Sequence, residues 1–187
     1  MTVTLFSGVT GVGLSTICRE VRSRVGDEFL LVNFGDVMLE QAVTHNITSD
    51  RQELSKLPQR QIQRLQRRAG EYVRDKATSN HIILSTHLAV ETEAGYIHGL
   101  PDSVLRDVAP DTFVLVEANP ESIIERRTGT DESATSVSER EIEFAQQLNR
   151  TAAFDYARDR NATIQFIENE ESIDEAVDQV IELLTDE

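Results

Sequence analysis

The sharpest chemistry in the sequence lies near its start. Gly8-Val9-Thr10-Gly11-Val12-Gly13-Leu14-Ser15, followed by Thr16, has the spacing of a phosphate-binding loop, G-x-x-x-x-G-K-[ST], in all but one place. Glycines at those positions let backbone N–H groups turn inward around a phosphate, and a helix beginning there adds positive potential. The hydroxyl of Ser15 is then a ligand for Mg²⁺. Leu14 stands where the pattern has lysine, so the ammonium that usually meets the β- and γ-phosphates is missing. The bland alternative is a glycine turn between a strand and a helix with no ligand.

A second set of residues follows. Asn33-Phe34-Gly35-Asp36-Val37-Met38 leaves a strand end, and Asp50-Arg51 comes next. Arginine is suited to bidentate capture of phosphate, and its place after the glycine loop in chain order makes Arg51 more than a surface charge. Asp36 could hold a Mg²⁺-bound water or cap its helix. His87 sits at a strand end, as a substrate contact or a neutral hydrogen-bonded ring. His45 and His98 read as surface residues. Cys18, the single cysteine, reads as packing and excludes a disulfide framework or a multi-cysteine zinc site.

Strands are expected at Val3–Ser7, Phe29–Asn33, His81–Ser85, Thr112–Glu117 and Thr163–Ile167. Between them the apolar spacing predicts helices from Ser15 to about Val25, from Gly35 to about His45 and within Asp50–Ala77. Further helices are expected from Pro120 to Arg127, from Ser138 towards Arg158, and at the C-terminal end of the chain. The motifs Ser138-x-x-Glu141 and Ser172-x-x-Glu175 are capping boxes, and Pro120 suits a first helical position. In the 50–77 helix, Ile62, Leu65, Ala69, Tyr72 and Val73 form one stripe and Arg60, Arg64, Arg67 and Arg74 fall opposite. Residues 128–137 are polar and read as a mobile loop. Alternating strands and helices imply a five-stranded parallel sheet covered on both faces, in one domain spanning 1–187. Ligands on such sheets bind beyond the carboxyl ends of the strands. Three segments leave those ends: Gly8–Ser15, Asn33–Asp36 and Ser85–His87.

The chain has 187 residues and a net charge of −15, with 18 basic against 33 acidic groups. Hydrophobic residues make up 39 % and are spread along the chain, which excludes global disorder. No apolar run approaches the roughly 20 residues of a membrane span, and the N-terminus lacks a signal-peptide pattern. A cytoplasmic protein is expected. Only Lys56 and Lys76 are lysines; many acids with so little lysine suit a surface hydrated in a high-salt, halophilic cytoplasm, against the alternative of an ordinary acidic protein. Residues 51–76 reverse the trend at a local net of +5, as a phosphate-meeting island or one solvated helix face. The overall −15 and the lack of an aromatic stacking stripe argue against broad nucleic-acid binding.

Taken in order, these pieces resemble archaeal-type adenylate kinases along nearly the whole chain. The resemblance adds Arg60–Gly70, Thr86-His87, Gly95-Tyr96-x-x-Gly99-Leu100-Pro101, Arg126-Arg127 and Leu148-Asn149-Arg150 to the segments above. It implies a three-layer α/β P-loop kinase fold with a monophosphate-binding insert near 34–78 and a short lid near 128–138. The implied reaction is ATP + AMP giving two ADP, with Mg²⁺ held at Ser15. By position, Gly8, Val9, Thr10, Gly11, Val12, Gly13, Leu14, Ser15 and Thr16 would hold ATP phosphates. Asn33, Phe34, Gly35, Asp36, Met38, Arg51 and His87 would hold AMP, and Arg126, Arg127 and Arg150 would clamp the transferring phosphoryl group. The resemblance also implies a homo-oligomer, a trimer in many relatives.

Three positions depart from that pattern. Leu14 replaces lysine, as in some relatives. Ser85 stands where an aspartate would orient Mg²⁺ through water. The lid carries Asp131 and Glu132 but no arginine. Each change removes positive charge or metal control, at about 2–4 kcal/mol of transition-state stabilisation apiece. Two readings therefore stand side by side: a kinase working through its remaining arginines, and a catalytically weakened nucleotide-binding paralogue with a regulatory or RNA- or ribosome-associated role.

Overall fold

A computed structural model describes residues 1–54, 56–92, 95–130, 137–158, 160–170 and 172–185. Strands β1 (Val3–Ser7), β2 (Phe29–Asn33), β3 (His81–Thr86), β6 (Thr112–Glu117) and β7 (Thr163–Glu168) form one sheet in the order β2-β3-β1-β6-β7. Every neighbouring pair is parallel. The remaining strands, β4 (Ala89–Thr92) and β5 (Gly95–His98), make a separate antiparallel hairpin. All five expected sheet strands are present.

The central strands are almost continuously apolar because both of their faces are covered. Alternate residues point to opposite sides. On one side Val3, Leu5, Ile82, Leu84, Phe113 and Leu115 pack against α2 (Phe34–Thr44), α4 (Gln59–Lys76), α5 (Asp102–Val108) and the second half of α7 (Glu139–Arg158). On the other, Phe6, Ile83, Val114 and Val116 meet α1 (Leu14–Arg24), α6 (Pro120–Thr130) and α8 (Ile173–Thr185). This is the three-layer α/β arrangement expected from the alternation of elements.

The predicted 50–77 helix divides into α3 (Arg51–Leu54) and α4. Pro58 disfavours helical geometry in the residue before it, while its own carbonyl accepts the N–H of Gln61 at 2.8 Å and so opens α4. In α4, Leu65, Ala69 and Val73 are buried and Arg60, Arg64, Arg67 and Arg74 are exposed, as the stripe implied. Helix α6 runs to Thr130, three residues past its expected end. The loop expectation for 131–136, with Asp131 and Glu132, lies outside the described residues. The Ser138 box forms: the Glu141 carboxylate accepts the Ser138 N–H at 2.7 Å, and the Ser138 hydroxyl accepts the Glu141 N–H at 3.3 Å. No described helix is long and apolar enough to cross a membrane.

Candidate functional site

Strand β1 leads directly into the glycine loop, and α1 follows. Gly11 and Gly13 have φ of +86° and +92°, where a side chain is strained. Gly8 is needed for a different reason: a Cβ there would stand 2.7 Å from Val12 Cγ1 and 2.8 Å from the Val116 carbonyl oxygen.

The loop is held by its alternate carbonyls. His87 Nδ1 donates to Gly8 O at 3.0 Å, Arg127 Nε to Thr10 O at 2.8 Å, and Asn169 Nδ2 to Val12 O at 2.8 Å. In a trans peptide the N–H points opposite to the C=O. Anchoring the carbonyls of Gly8, Thr10 and Val12 outward therefore turns the amides of Val9, Gly11 and Gly13 the other way, as a nest for an anion. Because a carbonyl only accepts, His87 carries its proton on Nδ1 in this bond. Arg126 braces the same region, donating to Asn169 O at 2.7 Å, to Glu170 O at 3.3 Å and to Val12 O at 3.4 Å.

Leu14 is the first residue of α1 and only 9 % exposed. It packs in the core on the α1 face while touching the cleft, which is where an apolar side chain is stable and an ammonium is not.

A second helix begins at the same edge of the sheet. Strand β2 runs straight into α2, whose N-terminus is capped by Asn33: its Oδ1 accepts the Asp36 N–H at 3.0 Å and its Nδ2 donates to Ser85 Oγ at 3.2 Å. Arg51 reaches over this terminus, with Nη1 3.5 Å from the position a Cβ would take at Gly35, and pairs with Asp36. Strands β1 and β2 are separated by β3, so their carboxyl ends, from which the glycine loop and α2 depart, stand about 10 Å apart, two strand spacings. Both open onto one cavity of about 1500 Å³.

That cavity gathers Val9, Thr10, Gly11, Gly13, Leu14, Ser15 and Thr16 with Asn33, Phe34, Gly35, Met38, Arg51, His87 and Arg126. Gly8 and Val12 shape the loop without lining the cavity. Asp36 lines a smaller groove with Leu39, Glu40, Val43 and Thr44. Arg127 packs on the loop at Gly11 and Thr10 without lining the cavity. Arg150 is held by Glu117 at the end of β6, with Nε 2.7 Å from Oε1 and Nη2 2.5 Å from Oε2, and this carboxylate raises the guanidinium pKa above its ordinary value.

Lys56, Gln66 and Thr86, which the sequence placed in quoted segments without a role of their own, also line the cavity, as do Asn169 and Glu170, which it did not single out. The Glu170 carboxylate accepts the Asn119 N–H and, at 3.1 Å, the Ser122 hydroxyl. His98, expected on the surface, is exposed yet borders the cavity; its Nδ1 is 3.0 Å from Tyr156 Oη, which donates to Leu100 O at 2.8 Å. Burial pushes the Tyr156 phenol up to about 12.

Among the described residues no cluster of three or more histidine, cysteine or carboxylate side chains could hold a metal. The hydroxyl of Ser15 beside the anion nest suits a Mg²⁺ ion that arrives with phosphates and keeps most of its water.

An AAA domain family profile matches residues 7–143. The adenylate kinase of Methanopyrus kandleri is 42 % identical over 96 % of this chain and 96 % of its own. That of Pyrococcus abyssi is 39 % identical over 97 % of this chain and 94 % of its own. That of Methanothermobacter thermautotrophicus is 38 % identical over 90 % and 91 %, respectively.

Proposed function

The chain belongs to the archaeal adenylate kinases, within the AAA domain family, and from that premise we propose that it transfers a phosphoryl group reversibly between ATP and AMP. The observation that carries this reading is the pair of helix N-termini, α1 and α2, lining one cavity. Each is an anion site through its orphan amides and dipole. Two phosphate-bearing ligands seated there leave room between them for a phosphoryl group in transit.

In this reading the amides of Val9, Gly11 and Gly13, with the first turn of α1 from Leu14 to Thr16, hold the ATP phosphates. Asn33, Phe34, Gly35, Met38 and Arg51 hold AMP, with Asp36 steering Arg51. Phosphoryl transfer asks for positioning and positive charge on the equatorial oxygens, with little covalent work by protein groups. His87, Arg127 and Asn169 supply positioning by fixing the loop's carbonyls; Arg126 borders the cleft. Arg150 reaches the phosphoryl group by exchanging Glu117 for phosphate oxygens. Mg²⁺ bound at Ser15 would neutralise charge between the phosphates. The insert then corresponds to about 34–78 and the lid to about 128–138, and the acidic, lysine-poor surface fits a cytoplasmic enzyme of a high-salt archaeal cell, with assembly into a homo-oligomer as in many relatives.

The test is AMP-dependent ADP formation from ATP in molar KCl, together with displacement of both substrates by one linked bisubstrate analogue. ADP formation requiring both nucleotides supports the reading. ATP hydrolysis indifferent to AMP would overturn it. The grip of Glu117 on Arg150 favours a second reading, a nucleotide-binding module without useful turnover, and tight analogue binding with no ADP formation would select that one.

A further inference from the structure

Leu14 leaves the glycine loop without the ammonium its spacing calls for, and its packing in the core on the α1 face makes that loss permanent. Positive charge for the phosphates has to come from elsewhere in the cleft. Among the described residues three permanent cations line the cavity: Arg51, Arg126 and Lys56. Arg51 is committed to the start of α2, beside Gly35 and Asp36, and Arg126 to the carbonyl oxygens of Val12, Asn169 and Glu170. Off the cavity wall, Arg127 holds Thr10 O and Arg150 holds Glu117.

Lys56 is placed differently. It sits in the turn between α3 and α4, where its own N–H donates to Glu53 O at 3.1 Å and the Leu57 N–H donates to Leu54 O at 3.3 Å. Its Nζ donates to Glu53 Oε1 at 3.0 Å, and both side chains are more than half exposed. An exposed pair of this kind holds weakly and exchanges readily for phosphate oxygens. The same hydrogen bond raises the ammonium above its ordinary value, so the charge persists at any pH near neutrality.

The turn also belongs to a part of the chain that can move. Helix α3 buries none of its residues, and segments with few buried contacts shift most easily. At about 1500 Å³ the cavity is roomier than a fitted ligand pocket of about 300–1000 Å³, whereas phosphoryl transfer asks for water to be shut out. Arg51 is the first residue of α3, so a monophosphate that grips it draws α3 and the following turn inward. Lys56 then travels towards the glycine loop.

We propose that Lys56 supplies the ammonium absent at position 14, donating to the phosphoryl group in transit between the two nucleotides. This rests on the phosphoryl-transfer reading above and adds a catalytic residue to it. Because the charge arrives from the acceptor's side of the cleft, ATP alone meets an incomplete set of cations and is spared hydrolysis until the acceptor is bound.

The experiment compares wild type with Lys56→Met, Lys56→Arg and Lys76→Met. Lys76, the only other lysine, lies over the Tyr72 ring and does not line the cavity, so its variant controls for charge alone. Lys56→Met is expected to lower kcat by about 30–1000-fold, the cost of one donor to a developing oxyanion. The KM values for ATP and AMP stay within about threefold, and Lys56→Arg recovers at least about tenfold of the loss. Lys76→Met stays within about twofold of wild type. Calorimetry with a linked bisubstrate analogue, whose phosphate chain occupies the path of transfer, reads the same contact without turnover. Lys56→Met should weaken the analogue at least about tenfold and leave ATP or AMP, bound singly, within about threefold. That calorimetric pattern with a wild type forming no ADP counts against the parent reading and leaves the Lys56 contact standing. Analogue affinity unchanged in folded Lys56→Met, or AMP weakened as much as the analogue, overturns the proposal.

Discussion

Replacing Asn169 with alanine tests whether the phosphate loop is held from behind. Asn169 is 5 % exposed, at the end of β7, and its Nδ2 donates to Val12 O at 2.8 Å. Without it, that carbonyl retains, among the described residues, the long contact from Arg126 at 3.4 Å. Losing one buried neutral donor costs about 1–2 kcal/mol. Because the Val12 carbonyl and the Gly13 amide belong to the same peptide unit, the cost falls on the anion nest. The ATP dissociation constant is expected to rise about 5–30-fold. The KM for AMP stays within about twofold, since α2 and Arg51 lie across β3 from this contact. Asn169→Asp removes the donor and also adds charge beside the phosphates, so it binds ATP more weakly still, with a deficit that shrinks as KCl is raised. Calorimetric titration of ATP at several KCl concentrations, alongside AMP saturation curves, measures all of this. An ATP affinity within twofold of wild type in a folded Asn169→Ala protein refutes the idea that outward-held carbonyls orient the nest.

Other expectations follow from buried or capped groups. Ser7 is fully buried, donates to Asn149 Oδ1 at 2.7 Å and accepts the Leu88 N–H at 3.1 Å. Ser7→Ala strands both partners, for a loss of about 2–3 kcal/mol and a thermal midpoint lower by about 4–12 °C; an unchanged midpoint contradicts this. Hydrogen bonds from Ser138 hold the Glu141 carboxyl below its ordinary range. A depressed folded-state pKa stabilises above the unfolded value and is lost as pH falls through the folded one, so Ser138→Ala should flatten the acid side of the stability curve measured by chemical denaturation. Cys18 is buried and its thiol is pushed up to about 12 by desolvation, so a thiol reagent at pH 8 should label it only at the rate of unfolding; prompt labelling of folded protein contradicts the burial.

The sheet could be anticipated because strands buried on both faces carry their signal locally: Val3–Ser7, Ile82–Leu84 and Phe113–Val116 are unbroken apolar or β-favouring runs. The Ser138 box and the α4 stripe are likewise written in a few neighbouring residues. The β4–β5 hairpin and α5 escaped notice because they are short, with strands of four residues and a helix of seven, too brief for a period to emerge. The glycine loop was legible as spacing, but the groups bracing it were not. Asn169 lies 157 residues from the carbonyl it holds, and nothing around it signals that contact. For Arg150, only the resemblance implied a role on the transferring phosphoryl group, and its pairing with Glu117, 33 residues away at the end of β6, has no local sequence signal.

The placing of Asn169 has a thermodynamic corollary. It continues from β7, an edge strand of the sheet, whose Phe166 is 55 % exposed and which, among the described residues, pairs only with β6. Outer strands are where sheets fray first. The peptide proposed to cradle a triphosphate is thus tethered to an edge of the sheet. Ligand occupancy and order in β7 become one linked equilibrium, in which nucleotide slows hydrogen exchange at that rim of the sheet without touching it.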